Sequence, residues 1–318
     1  DIALMIAKET HNNTVESMPL IHLAQGYTRL LAELKQQFDV ICPNQEFGQY
    51  RVLILSERVR PDADLAARIR KFIAGGGKVI SCAWGGLRKD ADEFALPELW
   101  GAEYIGESPH QPAYFRPLES IAGFPDMPVA LYEPGIALKA TAAAMAAEII
   151  KPYFNRHFDQ EHAYLYLPPD KPDGAAALTV NEHVAHFSHP IGISYYKHAQ
   201  VPLRLFVESA IKRFLPEPLL EVKNLPSYGR ATVTEQPGRR IIWLTAYVPE
   251  RRGAKIDMIE EGSVVGNLEI AFRTDGREIK KVYTAPEQTP LEFSMKNGFC
   301  KILLSQMTGY AVIVLDES

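Results

Sequence analysis

Cysteine is scarce in this sequence and widely spaced. Cys42, Cys82 and Cys300 are the three in 318 residues, with no CxxC pair among them. An odd, scattered set offers no disulfide framework and suits a reducing compartment, so a cytoplasmic location is expected. Long apolar runs are missing too. Nothing approaches the roughly 20 residues a membrane helix needs, and no charged-then-apolar leader opens the chain, so no membrane partner is expected. Charge of one sign is not concentrated anywhere: 34 Lys and Arg face 39 Asp and Glu, for a net charge of −5. Without a basic stripe or aromatics interleaved with Lys and Arg, nucleic acid is excluded as the main partner. Internal repeats and low-complexity tracts are also lacking. What is present is 47% hydrophobic and 23% charged, enough for substantial cores. At this length two domains are expected.

The clearest stretch is Arg51 to Trp84. Val52, Leu53, Ile54 and Leu55 form a continuous apolar run, as in a strand covered on both faces. Asp62 and Asp64 then mark a helix start, where carboxylates meet the positive end of the dipole. Leu65, Ile69, Phe72 and Ile73 follow at helical spacing, Gly75 to Gly77 end the helix, and Val79 to Cys82 begin another strand. The glycines and Lys78 look like a phosphate loop in composition but not in order. They leave a helix and enter a strand, so they read as a C-cap.

Upstream, Ile2 to Ala7 reads as a strand, Lys8 to Ser17 as a polar loop, Leu20 to Leu34 as an amphipathic helix and Phe38 to Cys42 as a second strand. The alternation indicates an α/β sheet. Because the chain opens on Asp1 and goes directly into a strand, it is expected to be the C-terminal part of something longer, or to have lost a leader. Further on, Leu96 to Tyr104 reads as a short helix or turn around Trp100, and Gly106 to Pro117 as an irregular segment. Pro128 to Leu131 reads as a strand, alanine-rich Thr141 to Ile150 as a helix and Pro168 to Gly174 as a turn-rich loop. Ala175 to Val180 and Val184 to Phe187 pair as strands, and Pro202 opens a helix that Pro216 and Pro218 close. The domain boundary is placed there, giving residues 1–216 and 217–318. Beyond it about seven short alternating runs, with Leu268, Ile270 and Phe272 as the pattern, predict a small antiparallel β-sandwich.

Cys82 is the sharpest chemical candidate, at the end of a strand and followed by Ala-Trp-Gly-Gly. A strand-to-helix elbow is where class I glutamine amidotransferases, which these residues resemble, hold their cysteine nucleophile. His189-Pro190 then resembles the His-Pro-Glu that supplies their base, since a thiolate needs an imidazole nearby. Two departures weaken the dyad: SCAWG lacks the small residue expected before the elbow cysteine, and Ile191 replaces the glutamate. His183, His186 and His189 lie three apart on a strand-like segment and so point to opposite faces, which argues against a metal site. Glu46, Glu57, Glu107 and Glu133 follow candidate strands, but nothing in the sequence pairs them for acid–base work, and they read as solvated loop acids. His110, Gln111, Tyr114, Phe115 and Arg116 form an aromatic-polar cluster suited to an interface or a cleft wall.

The stretch YRVLILSERVRPDADLAARIRKFIAGGGKVI resembles the middle, trimerisation domain of glycoside hydrolase family 42 β-galactosidases. GAEYIGESPHQPAYFRP, AHFSHPIGISYY and YVPERRGAKIDMIEE look closer to bacterial α-L-fucosidase-like proteins of the same modular plan. The resemblance implies an α/β fold: a flavodoxin-like, amidotransferase-like parallel sheet with flanking helices, followed by the sandwich. It also implies an oligomer, the trimer being the family's form, and a catalytic (β/α)8 barrel outside this chain as partner. The expected function is therefore a non-catalytic oligomerisation or accessory region of a β-galactosidase or α-L-fucosidase type enzyme, without cofactor or metal. Two alternatives stand beside it. One is a self-contained cysteine hydrolase using Cys82 and His189; the other is a carbohydrate-binding module with Trp243 or the Tyr114–Phe115 loop as its platform.

Overall fold

A computed structural model of the chain describes residues 1–7, 18–155 and 167–318. The polar loop expected over Lys8 to Ser17 lies outside the described residues. Two compact units are present, one of Ile2–Leu30 with Phe38–Pro216, the other of Asp1, Leu31–Gln37 and Glu217–Ser318.

The larger unit begins with β1 (Ile2–Met5), α1 (Met18–Glu33), β2 (Phe38–Ile41), β3 (Val52–Leu55), α2 (Ala63–Ala74) and β4 (Lys78–Cys82). It continues through α3 (Pro97–Trp100), β5 (Ala102–Glu107), β6 (Ala113–Pro117), β7 (Val129–Leu131), β8 (Ile136–Ala140) and β9 (Ala144–Pro152). β10 (Pro169–Val180), β11 (Val184–Phe187), α4 (Gly192–His198) and α5 (Val201–Phe214) complete it. Nine strands form one mixed sheet in the order β2-β1-β3-β4-β11-β10-β9-β6-β7. The run from β2 to β11 is parallel and the remainder antiparallel. Every residue of β1 and β3 is buried, which is why both read as unbroken apolar runs. The Asp62 carboxylate caps α2 by accepting from the Leu65 amide at 2.9 Å. The helix then lays Leu65, Ile69, Phe72 and Ile73 into the same core as Leu53, Leu55 and Val79. Its glycines end it as the sequence predicts. Gly76 takes φ +96, and a Cβ on Gly77 would lie 2.4 Å from the Phe72 ring.

Three segments depart from the sequence expectation. Thr141 to Ile150 is not a helix: Ala144 to Pro152 is β9, held between β10 and β6. Alanine's helix preference is a weak prior, and pairing on both edges overrides it. Pro168 to Gly174 is not a loop but the irregular first half of β10, with register shifts between Pro169, Pro172 and Ala176. Proline is tolerated in a ladder where the pairing is already broken. Gly106 to Pro117 ends in β6, whose Phe115 is buried in the core.

The smaller unit is antiparallel throughout. Its strands are β12 (Leu220–Lys223), β13 (Arg230–Gln236), β14 (Arg239–Thr245), the hairpin β15 (Glu250–Arg251) and β16 (Asp257–Met258), and β17 (Val264–Arg273). β18 (Ile279–Ala285), β19 (Phe293–Lys296), β20 (Phe299–Thr308) and β21 (Tyr310–Glu317) follow. Two four-strand ladders, β12-β17-β20-β19 and β18-β21-β14-β13, meet where Thr308 pairs with Tyr310 around Gly309. Alternate residues of both ladders share one core: Leu220, Ile270 and Ile302 from the first, Ile242, Val282 and Ile313 from the second. Asp1, Lys35 and Gln37, distant in sequence from the strands, bond within this unit. Asp1 pairs with Arg273 at 2.8 Å and accepts the Leu219 amide. Lys35, buried and at φ 60, points its ammonium at the carbonyls of Pro226 (2.8 Å), Gly229 (2.9 Å) and Glu33 (3.0 Å). The Gln37 amide accepts from the Val233 N–H (2.8 Å) and donates to the Ala231 carbonyl (3.0 Å) on β13.

Candidate functional site

The parallel strands of the larger unit all end on one side, and a crevice of about 340 Å³ opens there. Chain exits from the sheet build its walls: Glu57 and Arg58 after β3, Trp84 after β4, Pro190 after β11. His22 and Leu23 of α1, Glu133 and Pro134 before β8, and Ile193 and Lys197 of α4 complete the lining. In open α/β sheets, ligands bind in this position because the strand ends diverge there.

At its floor three ionisable groups are locked together. The Tyr27 hydroxyl lies 3.0 Å from the Cys82 sulfur, whose thiol donates to Glu57 Oε2 at 3.7 Å. Glu57 Oε1 accepts the Ile193 amide at 2.9 Å. Burial pushes the Glu57 carboxyl above the usual range, against the Ile193 amide that favours its charge. Burial, then the Glu57 charge, drives the Cys82 thiol far upward, and burial does the same to the Tyr27 phenol. Burial of this kind works against the thiolate, which is the nucleophilic form. The enclosure depends on two glycines: a Cβ on Gly26 of α1 would sit 1.8 Å from the Gly192 carbonyl, and one on Gly192 would meet the Tyr27 ring at 2.6 Å.

The left-handed turn after β4 lies one residue beyond Cys82. Ala83 takes φ 47 and is fully buried, with its amide bonded to the Phe187 carbonyl at 2.8 Å. Gly85 follows so tightly that a Cβ would lie 2.5 Å from the Ser56 carbonyl. The turn residue is thus a buried alanine, and Cys82 before it is buried as well. His189 is elsewhere engaged: its Nδ1 lies 2.8 Å from the Ser188 hydroxyl, and burial, then His110, lower its pKa to about 3. Among the described residues no hydrogen bond joins it to Cys82, whose partners are a phenol and a carboxyl group.

The three histidines do not converge. His183 Nδ1 is 3.4 Å from the Lys78 ammonium, and His186 Nδ1 is 2.7 Å from the Ser81 hydroxyl within the core. Among the described residues no group of three His, Cys, Asp or Glu side chains is placed to hold a metal. The aromatic-polar cluster splits by strand alternation. Phe115 turns inward onto Phe206, ring centroids 4.5 Å apart, while Arg116 and Gln111 stay exposed. Arg116 pairs with Glu148 at 2.7 Å, the Tyr114 hydroxyl donates to the Leu167 carbonyl, and His110 Nε2 lies 2.9 Å from Asp173. Trp243 stands on the outer face of β14, its indole N–H on Thr234 at 2.8 Å.

Two glutamates read from sequence as solvated loop acids prove to be enclosed. Glu57 is buried, and Glu133 holds Lys197 at 2.7 Å and His198 at 3.2 Å. Glu46 is exposed as expected, and exposed Glu107 accepts from the Trp84 indole at 2.9 Å and the Tyr104 hydroxyl at 3.1 Å. The one local hint for Glu57 is its position two residues after a wholly apolar strand. His22 completes the rim, stacked on Tyr196 with centroids 4.2 Å apart.

No family model matches the chain, and no curated protein matches it by sequence. Solved structures do. α-L-Fucosidase isoenzyme 2 from Paenibacillus thiaminolyticus is similar over all of this chain and 48% of its own, with TM-score 0.89 and 24% identity. A GH42 β-galactosidase from G. stearothermophilus is similar over 100% of this chain and 40% of its own (TM-score 0.60, 14% identity). A β-galactosidase from Bacillus circulans sp. alkalophilus is similar over 100% and 41% (TM-score 0.58, 14% identity). The chain spans under half the length of each, and at these identities what it shares with these glycoside hydrolases is the fold of that part.

Proposed function

We propose that this chain is the non-catalytic, assembly-forming part of a glycoside hydrolase of the α-L-fucosidase or β-galactosidase type, working beside a catalytic (β/α)8 barrel. Its larger unit is an amidotransferase-type scaffold: β2-β1-β3-β4-β11 follows the 2-1-3-4-5 order of flavodoxin-like doubly wound sheets. The observation that carries the reading is the elbow after β4. A left-handed Ala83 stands where a nucleophile would, and the nearest thiol is buried against Tyr27 and Glu57. Similarity to the fucosidase along the full chain but half the enzyme supports the modular role. The scaffold then serves subunit contacts, as a homo-oligomer of trimer type, in the cytoplasm.

Size-exclusion chromatography with light scattering, run beside hydrolysis of aryl β-galactoside and aryl α-L-fucoside, tests this. An oligomer without turnover is expected. Clear turnover by this chain alone overturns the non-catalytic assignment, and a strictly monomeric species overturns the assembly role.

A further inference from the structure

The crevice at the carboxyl ends of the parallel strands has no cysteine in its lining but is lined by polar and aromatic groups. Its size, about 340 Å³, is at the lower end for small-molecule sites, room for one small ring. One wall is the indole of Trp84, partly exposed and held in orientation by its N–H on Glu107 at 2.9 Å. Pro134, Pro190 and Leu23 add apolar surface. The polar part is balanced: Arg58 and Lys197 against Glu57 and Glu133.

Ligand chemistry follows from that balance. Glu57 is committed to Ile193 and Cys82, so it forms the floor. The Glu133–Lys197 pair, 2.7 Å apart, is half-open to water on the lysine side. A carboxylate offers about four acceptor sites and an ammonium three donors, so the pair retains both kinds of capacity after bonding to itself and to His198. A hydroxyl donates and accepts at once and fits such a pair. A phosphate needs uncompensated cations or a glycine-lined nest, and the Gly75–Gly77 turn precedes β4, at the opposite end of the strand. A ring with one apolar face for Trp84 and hydroxyls at its edge for Glu133 and Lys197 is a pyranose.

We propose that this crevice binds a neutral monosaccharide unit, stacked on Trp84 and hydrogen-bonded to the Glu133–Lys197 pair. The place of the site rests on the crevice; the choice of a sugar rests in part on the glycoside hydrolase reading above.

The test is a titration of the full 318-residue chain with D-galactose and L-fucose, followed by NMR of the tryptophan indole N–H signals. Trp84→Phe assigns its resonance among the three tryptophans. Saturable shifts centred on Trp84 are expected, with a dissociation constant on the order of 1 mM, ordinary for so small a ligand. Lys197→Met, at an exposed position, should weaken binding about tenfold, the worth of one charge-assisted hydrogen bond. No saturable shift at about ten times that concentration overturns the proposal. So do shifts confined to Trp243, or tighter binding of L-glutamine or inorganic phosphate in parallel titrations. The oligomeric state of the same sample keeps the two readings apart. An oligomer that binds no sugar sinks only the site, and a sugar-binding monomer sinks only the assembly role.

Discussion

Replacing Lys35 by methionine should destabilise the β-sandwich unit by several kcal/mol, although the residue touches no candidate site. The ammonium is buried, with its three nearest backbone carbonyls at 2.8, 2.9 and 3.0 Å and that of Ser227 at 3.4 Å. Hydrogen bonds to a charged group are worth about 1.5–3 kcal/mol each, but three to one ammonium are not additive. Against them stands the desolvation of the ammonium, several kcal/mol, which methionine does not incur. Methionine matches the chain length, so packing is kept, and the loss is that of carbonyls left facing a thioether. Removing one partner of a buried charged arrangement costs about 3–5 kcal/mol, and the second lone pair of each carbonyl pulls the expectation to about 2–4 kcal/mol. Urea unfolding followed by Trp243 fluorescence, which reports on the sandwich, is the assay. Lys35 also sits at φ 60, so Lys35→Gly should regain about 1 kcal/mol of backbone strain while losing both the head group and the packing of the stem. Because the ammonium is buried, added salt should leave the wild-type-to-Met gap nearly unchanged. A gap under about 1 kcal/mol, or one that salt abolishes, would refute the argument.

Three other outcomes are expected. Iodoacetamide at neutral pH should alkylate partly exposed Cys42 at least about tenfold faster than Cys82, since thiolate and access are both lacking at Cys82; earlier labelling of Cys82 would contradict its assigned state. The Glu57 carboxyl titrates higher in the folded chain than in the unfolded one, so its contribution is fully present below the ordinary value of about 4.3 and is lost as pH rises through the raised value. Glu57→Gln should therefore gain on wild type in melting temperature as pH rises, and parallel curves would remove the basis for the shift. Gly26→Ala should cost at least about 3 kcal/mol or prevent folding, because its Cβ would overlap the Gly192 carbonyl, whereas Gly48→Ala, with open space around it, should be near neutral. Equal stability of the two variants would show that α1 and α4 are not in the contact described.

The sequence made β3, α2 and β4 legible because the signals there are local. A capping carboxylate, a helical stripe and a glycine stop lie within one window and agree with the final structure. β9 and β10 were hidden because their partners lie outside any window: alanines that favour a helix in isolation are held between two strands, and prolines survive where the ladder is irregular. The site was half legible for the same reason. The resemblance to amidotransferases, with its place at a strand end, put Cys82 at the turn, but which residue turns left-handed is decided by how β4 leaves the sheet, and that residue is Ala83. Glu57 and Glu133 carry no local mark of burial, since α1 and α4 enclose one and Lys197 and His198 hold the other.

Gln37 has a consequence for how the chain behaves in a crowd. β13 is an outer strand of its ladder, and an unpaired strand edge is a template on which a foreign chain can add itself. The Gln37 amide supplies one donor and one acceptor in the spacing of a peptide group, to Ala231 and Val233, so it occupies the berth an incoming strand would take. Trimming it to alanine would leave the native contacts of the sandwich largely intact and yet lower the concentration at which the protein precipitates. The residue's value lies in the encounters it forbids, and those appear only when other molecules are near.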